Sequence, residues 1–468
     1  MMRNKLMALL FVICCCLTTI VFAQEIATQG VSRVSSLVPN LPESGTVDEE
    51  VDFPAFDATE WLLSNGARII LKPTNLKKGE TLMKGFSWGG TSVITDPKEI
   101  VTRNFLNDLI RISGIGTLSS GDLSRLSEEK GVVVTPFVGD ITDDIMGSAP
   151  TDEIETMLQL VYLYFTEQRI DNEAFKAYSN QLKERMNEEK NMPEVALKNY
   201  IIEDLYGNNP LKKAPIASDV KKINYEKGMA LAKDRFNDID NFTFIFVGDF
   251  NITDIQPLIE LYIGGVKKSN RNESWINDRA YILPGNSRND HEVSANMSHD
   301  LVYMLYFGKM QYSPKNEIYM HVLTRLLEAG YTDMMKDFKK DIQNFSLEGE
   351  FRKYPHELLF LYFRFDVTPQ MKDMAINQIK NGMESMAATG PSSSDLKKIK
   401  TQLLKERQNA LKTNQYYLTA VNDYIVLHFD KMENFETIIS EMTEDSVKSF
   451  VNEVILSSII KEVTVGAK

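Results

Sequence analysis

Four pieces of this sequence recur, in the same order, about 220 residues downstream, and that repeat constrains the fold more than any local pattern. The β-prone run Thr81 to Trp88 has a counterpart in Leu301 to Gly308. Glu99-Ile100, which opens the next helical stretch, answers to Glu317-Ile318, and Thr151 before a long helix answers to Thr368-Pro369. Gln181-Leu182-Lys183-Glu184-Arg185 is echoed by Gln402-Leu403-Leu404-Lys405-Glu406-Arg407. Four matches in one order mean two similarly folded halves, about Thr59 to Val266 and about Asn286 to Lys468, joined by a polar linker over 267–285. At 468 residues the chain is also too long for a single core.

Local patterns say what each half is made of. Trp61 to Leu71 is two β-prone runs around Asn65-Gly66, the strongest short hairpin signal, and Thr81 to Trp88 reads as the next strand. A helical run follows from about Lys98 to Ile112, then a short helix around Asp122 to Lys130 stopped by Gly131. Strands are expected at Val132 to Thr135 and near Met146. Thr151 reads as the N-cap of a helix in which Ile154, Met157, Leu158, Val161 and Phe165 recur at helical spacing. Hairpins demand antiparallel pairing, so the class is α+β: two similar domains, each a mainly antiparallel sheet with helices packed on a face.

Before these halves, residues 1–23 have the order of a secretory signal peptide. Arg3 and Lys5 precede the apolar run Leu6 to Phe22, and Ala23 offers a small-residue exit before Gln24. At 17 residues the run is short for a spanning helix, and no comparable run follows, so the mature protein is expected to have no stable membrane span. It is expected to be periplasmic or secreted. All three cysteines, Cys14 to Cys16, lie in this leader, which leaves the mature chain without disulfides, thiolate nucleophiles or thiolate metal ligands. Residues 24–58 are rich in Ser, Val, Pro and acid and lack sustained periodicity, so they read as an extension or linker. With 65 acidic against 52 basic residues the net charge is −13, and such a surface repels phosphate backbones; nucleic acid is excluded as a partner.

The usual catalytic patterns fail on inspection. The five histidines, at 291, 299, 321, 356 and 428, include no pair at i, i+4, so no two-histidine zinc motif can form on one helix. Gly85-Phe86-Ser87-Trp88-Gly89 has the spacing of a nucleophile elbow, but a loop with Asp96-Pro97 follows where a helix is required, and its glycines read as strand-end and turn residues. Gly114-Ile115-Gly116 follows a helix and reads as its terminator.

Several segments, in their order and spacing, resemble the pitrilysin or insulinase family of zinc metallopeptidases, and in particular the C-terminal half of its long bacterial members. These are Leu63-Ser64-Asn65-Gly66 leading into Lys72-Pro73-Thr74, then Trp88-Gly89-Gly90-Thr91-Ser92, and the helix Glu155 to Phe165. Phe246-Val247-Gly248-Asp249, and Gly390-Pro391 leading through Asp395 to Asn414-Gln415-Tyr416-Tyr417, complete the set. The resemblance implies the mitochondrial processing peptidase-like metallohydrolase fold, in which two halves close around an unfolded peptide and one half carries zinc on His-x-x-Glu-His. By eye, that motif falls on the helix containing Asn104-Phe105-Leu106-Asn107-Asp108, where neither imidazole is present and the general-base glutamate is Asn107. These are degenerate zinc-motif positions, and the chain looks like the half without metal.

In the family that half assists in trans through an Arg and a Tyr. The matching positions here are Lys336, which lacks the forked donor, and Phe345, which lacks the hydroxyl. The resemblance therefore implies a non-catalytic, substrate-binding subunit, with no catalytic residue and no cofactor of its own. Its expected partners are a zinc-bearing subunit of the same family and a peptide or unfolded protein, with Lys336 and Phe345 as substrate-binding residues. A stand-alone binding or scaffold protein that kept the fold and lost the chemistry is the rival expectation.

Overall fold

The computed structural model describes residues 37–277, 281–335 and 338–468. The leader and Lys336 lie outside the described residues. In chain order the first half comprises β1 (Val47–Phe53), β2 (Ala58–Leu63), β3 (Arg68–Pro73), β4 (Thr81–Trp88), α1 (Ile100–Arg103), α2 (Leu106–Ser113) and α3 (Ser120–Lys130). It continues with β5 (Val133–Val138), β6 (Thr142–Ala149), α4 (Ile154–Thr166), α5 (Asn172–Glu189), α6 (Pro193–Tyr206), α7 (Tyr225–Arg235), β7 (Thr243–Gly248) and α8 (Ile252–Tyr262). The second half comprises β8 (Ser287–Val293), β9 (Asp300–Lys309), α9 (Pro314–Met335), β10 (Ile342–Arg352) and β11 (Leu358–Val367). It ends with α10 (Lys372–Thr389), α11 (Ser393–Ala410), α12 (Asn414–Leu427), α13 (Phe435–Glu441), α14 (Glu444–Ser457) and β12 (Ser458–Ala467).

The repeat is visible in the sheets. The first has strand order β1-β2-β3-β7-β4-β6-β5 and the second, read from its β8 edge, β8-β12-β9-β11-β10. Each contains one parallel pair, β3 with β7 and β8 with β12, and the central strand after it is antiparallel to both neighbours. The class is α+β as expected. Strand β4 spans the predicted residues, and β9 takes its place in the second sheet. At the β2–β3 hairpin Asn65 Oδ1 accepts from the Ala67 amide (3.1 Å), while its Nδ2 donates to the carbonyls of Ile263 and Val266 (2.8 and 2.9 Å). Gly66 is left-handed (φ +92°), and a Cβ there would sit 2.9 Å from that of Asp240.

Three local expectations need correcting. The stretch 24–58 contains the edge strand β1, paired with β2 so that Glu50 faces Trp61 and accepts its indole N–H at 2.8 Å. Only Phe53 of β1 is buried, so this edge strand has no apolar alternation to reveal it. Thr151 does not cap α4; its hydroxyl donates to the Asp249 carbonyl (2.6 Å), and a 3₁₀ turn over Thr151–Glu153 leads into the helix. The helix expected over 98–112 is two, α1 and α2, broken at Asn104-Phe105.

Residues 38–468 form one compact unit because the halves exchange equivalent helices. Helix α12, from the second half, lies on the first sheet, where Leu418 and Val421 pack with Ile70, Phe86, Ile245 and Val247. Helix α6, from the first half, lies on the second sheet, where Leu197 packs with Leu301, Val463 and Val465, and Leu205 with Leu305, Phe307 and Phe360. Both helices follow an 18-residue helix of their half, α5 or α11, so the exchange is reciprocal. At the start of α12 the buried Asn414 accepts from Thr74 Oγ1 (2.5 Å) and donates to Glu80 (3.0 Å), both in the first half.

The exchange predicts coupled unfolding. Leu197→Ala removes a buried side chain packed on the second sheet's face and should cost about 2–4 kcal/mol. All three tryptophans, at 61, 88 and 275, lie outside that sheet. Their denaturant transition should nonetheless shift by that amount; a tryptophan transition that does not move would mean the halves unfold independently.

Candidate functional site

Asn104, Asn107 and Asp108 lie where α1 gives way to α2, beside the β5 edge. Phe105, Leu109 and Ile112 anchor α2 in a core shared with Leu182, Val220 and Tyr225, which leaves Asn104 exposed and turns Asn107 toward β5. Asn107 Nδ2 donates to the Val138 carbonyl (3.0 Å), and the Val138 amide donates to Asn107 Oδ1 (2.8 Å). A glutamate could accept the second bond but could not make the first. Asp108 accepts from Arg111 at 3.0 Å. These residues do not fit a zinc ion: one is solvated, one is engaged at both ends of its amide, and one is a surface ion-pair partner. Among the described residues no group of three or more His, Cys, Asp or Glu side chains is placed to hold a metal.

The Asn107 clip also closes the sheet. β5 is the outermost strand on this side, and the Gly139 amide donates inward to Thr142 (2.7 Å). Alternation along β5 then turns the backbone groups of Val138, Pro136 and Val134 outward. Val138 is capped by Asn107 and Pro136 has no N–H, so an added strand would find little of the ladder it needs.

Trp88-Gly89-Gly90-Thr91-Ser92 turns over a buried ion cluster. The Gly90 amide donates to Asp143 Oδ2 at 3.1 Å, and Arg235 Nη1 lies 3.6 Å from the same oxygen. Arg235 also pairs with Glu273 of the linker and with Asp234. Both glycines are needed, since φ is +144° at Gly89 and +59° at Gly90, and a Cβ at Gly89 would press on the Arg235 guanidinium at 2.8 Å. Ser92 Oγ accepts from the Ile276 amide (2.9 Å), so the linker is tied to this turn at two points. Ser87 is buried within β4, its hydroxyl contacting only the Trp88 carbonyl at 3.4 Å, which is no place for a nucleophile. Burial pushes the Asp143 carboxyl up to about 7 against the pull of Arg235.

Phe345 lies on β10 at a register shift, next to the left-handed Asn344 (φ +51°). Its half-buried ring packs against Tyr331 (5.6 Å), Phe365 (6.4 Å) and Phe363 (6.5 Å). Outward from Asn104 and Asn107 opens a cavity of about 1030 Å³, bounded by the β5–β6 turn, the α5–α6 junction and the loop to Ser218. Sequence reasoning placed the asparagines but missed Val138, Asp143, Arg235 and this cavity. Their partners lie 31 to 92 residues away in sequence, and only the lone Pro136 in a β-prone run could have marked the edge.

Comparison with known proteins places this arrangement. The family described as Peptidase M16 inactive domain matches residues 223–403. The zinc protease PQQL-like of Arabidopsis thaliana is 26% identical over 233 residues, covering 50% of this chain and 22% of that protein. The probable zinc protease PqqL of Escherichia coli (strain K12) is 26% identical over 218 residues, covering 46% and 23%. The crystal structure of the periplasmic protease PqqL from Escherichia coli superposes with a TM-score of 0.78 at 17% identity, over 96% of this chain and 49% of that one. The fold is that of the M16 peptidases, the pitrilysin/insulinase family, and residues 223–403 match their inactive domain. Residues 223–403 thus match a non-catalytic, peptidase-like domain, and the chain spans about half the length of the solved PqqL.

The buried cluster predicts a pH signature. Because the Asp143 pKa is raised, the native state holds this proton more tightly than the unfolded chain. That contribution to stability is therefore present near pH 4 and lost as pH rises to about 7, then flat. Asp143→Asn keeps an acceptor for Gly90 without titrating, so its stability relative to the parent should rise by roughly 3 kcal/mol across that window. Parallel denaturation curves of the two proteins at several pH values would refute the assignment.

Proposed function

We propose that this chain is the non-catalytic, substrate-binding half of a two-chain insulinase-type zinc peptidase that acts on peptides or unfolded proteins outside the cytoplasm. The observation that carries this reading is Asn107. At the position of the general base stands an amide engaged at both ends with the backbone of Val138, and neither neighbouring motif position supplies an imidazole. Water activation and zinc must then come from a second, zinc-bearing chain of the same family.

Further support comes from the match to the inactive domain and from the periplasmic PqqL, whose length is about twice the part this chain covers. Export rests on the leader. Among the described residues no helix is long and apolar enough to cross a membrane. In this reading the two sheets with their helices are the two domains that bracket the linker over 267–285, and the segment from Lys336 to Phe345 is the part turned toward the partner's zinc. The rival, a stand-alone binding or scaffold protein, is favoured by Phe345, whose ring lacks the hydroxyl and packs inward on Tyr331 and Phe363.

Affinity purification of the tagged chain from its own host decides between them. The proposal expects a co-purifying chain with His-x-x-Glu-His, zinc and peptidase activity in the complex, and neither in the tagged chain alone. Recovery of the chain without such a partner favours the scaffold reading, and one equivalent of zinc in the isolated chain, surviving dialysis, overturns both.

A further inference from the structure

The cavity beside the closed β5 edge has a charge pattern opposite to that of the chain. In a protein with 65 acidic and 52 basic residues, its lining carries Arg103, Lys190, Lys198, Lys212 and Lys213 against Glu189 and Asp140. Arg103 donates to the carbonyls of Thr91 and Ile94, and Lys212 pairs with Asp140 at 3.0 Å. Lys190 and Lys198 make no ion pair with any described residue, Lys213 lies close enough to Asp219 to help hold its carboxyl low, and all three are exposed. They come from three elements, the C-cap of α5, the middle of α6 and the loop after it, and meet at one rim. A solvated helix face does not bring cations to one cavity from three directions, least of all where carboxylates are in excess. The lining also includes the apolar Phe137, Met186, Val195, Ile202 and Leu211.

Volume and backbone narrow the ligand. About 1030 Å³ is at the top of the range of roughly 300–1,000 Å³ for small-molecule pockets, and suits several side chains of a polymer. The adjacent strand edge offers that polymer little backbone pairing, since Asn107 caps Val138 and Pro136 offers no N–H. Recognition here must then use side chains, apolar ones against the walls and anionic ones at the lysine rim.

We infer that this cavity binds a segment of unfolded polypeptide in which glutamate or aspartate alternates with apolar residues. This deepens the proposed peptide-binding role and rests on it. It also gives that role a selectivity: acid-rich segments are retained, and neutral ones of equal hydrophobicity are held less well.

The test measures binding, by fluorescence anisotropy, of an unstructured peptide alternating glutamate with apolar residues and of its glutamine counterpart, to the full chain and to its complex with the zinc-bearing half. Exposed ion pairs contribute a few tenths to 1 kcal/mol each, so the glutamate peptide should bind about tenfold more tightly at low salt, and the preference should fade as salt shortens the Debye length. Lys190→Glu with Lys198→Glu and Lys213→Glu should abolish the preference and leave the glutamine peptide within about twofold. The corresponding triple glutamine substitution should reduce it. Reversal of Lys397, Lys398 and Lys405, exposed on α11, should leave it intact. Equal binding of the two peptides, or a preference that survives the cavity triple reversal, overturns the inference while leaving peptide binding in place. Failure of both peptides to bind the chain and the complex overturns the peptide-binding role and the inference with it.

Discussion

Helices α6 and α12 each leave the half that encodes them and seal the sheet of the other, and most of this architecture follows from that exchange. Neither sheet can bury both faces with its own helices. The second half stacks α9, α10 and α14 on one face of its sheet and relies on Leu197 and Leu205 of α6 for the other. The first sheet relies likewise on Leu418 and Val421 of α12. Burying a leucine or valine contributes about 1.5–3 kcal/mol, so a few such contacts on each side exceed what a hydrated linker could supply. The linker is fixed as well, through Glu273 on Arg235 and Ile276 on Ser92, and its Trp275 meets Tyr354, which in turn meets Trp88 (6.0 and 5.3 Å). A frame built this way holds the α1–α2 region and the cavity in fixed relation to both halves.

Within that frame, the positions that the resemblance sets against a zinc motif serve the fold. A zinc-motif glutamate must stay free to take a proton from water, whereas Asn107 is held from both ends by one backbone residue. The same two hydrogen bonds shut the strand edge, and Pro136 completes the closure. Polar contacts that would otherwise recruit a peptide backbone are satisfied internally. What is left on offer is side-chain recognition in the neighbouring cavity.

How much of this the sequence revealed depends on the range of the interactions. The Asn65-Gly66 hairpin, strand β4 and the apolar face of α4 were legible because each is set by residues within a few positions of one another. The repeat was legible because two copies of a pattern reinforce each other. Strand β1 was not, since Val47 to Phe53 carries four acids and gains its order from pairing with β2. The Thr151 cap failed because Asp249, 98 residues away, claims its hydroxyl. Asn107 was picked out as an amide in a carboxylate's place, but what the amide does there needs Val138, which no local pattern connects to it. Asp143 and Arg235 are ordinary letters in the sequence, and it is burial beside Arg235 that brings the Asp143 carboxyl to titrate near neutrality.

Asn107 works as a clip on the β5 edge, and backbone hydrogen exchange at Val138 reads it directly. In the native protein this outward-facing edge amide, which would exchange freely if solvated, is expected to be strongly protected, and Asn107→Ala should release it while the inward-facing amides of β5 stay protected. A Val138 amide that exchanges equally fast in both proteins would contradict the account.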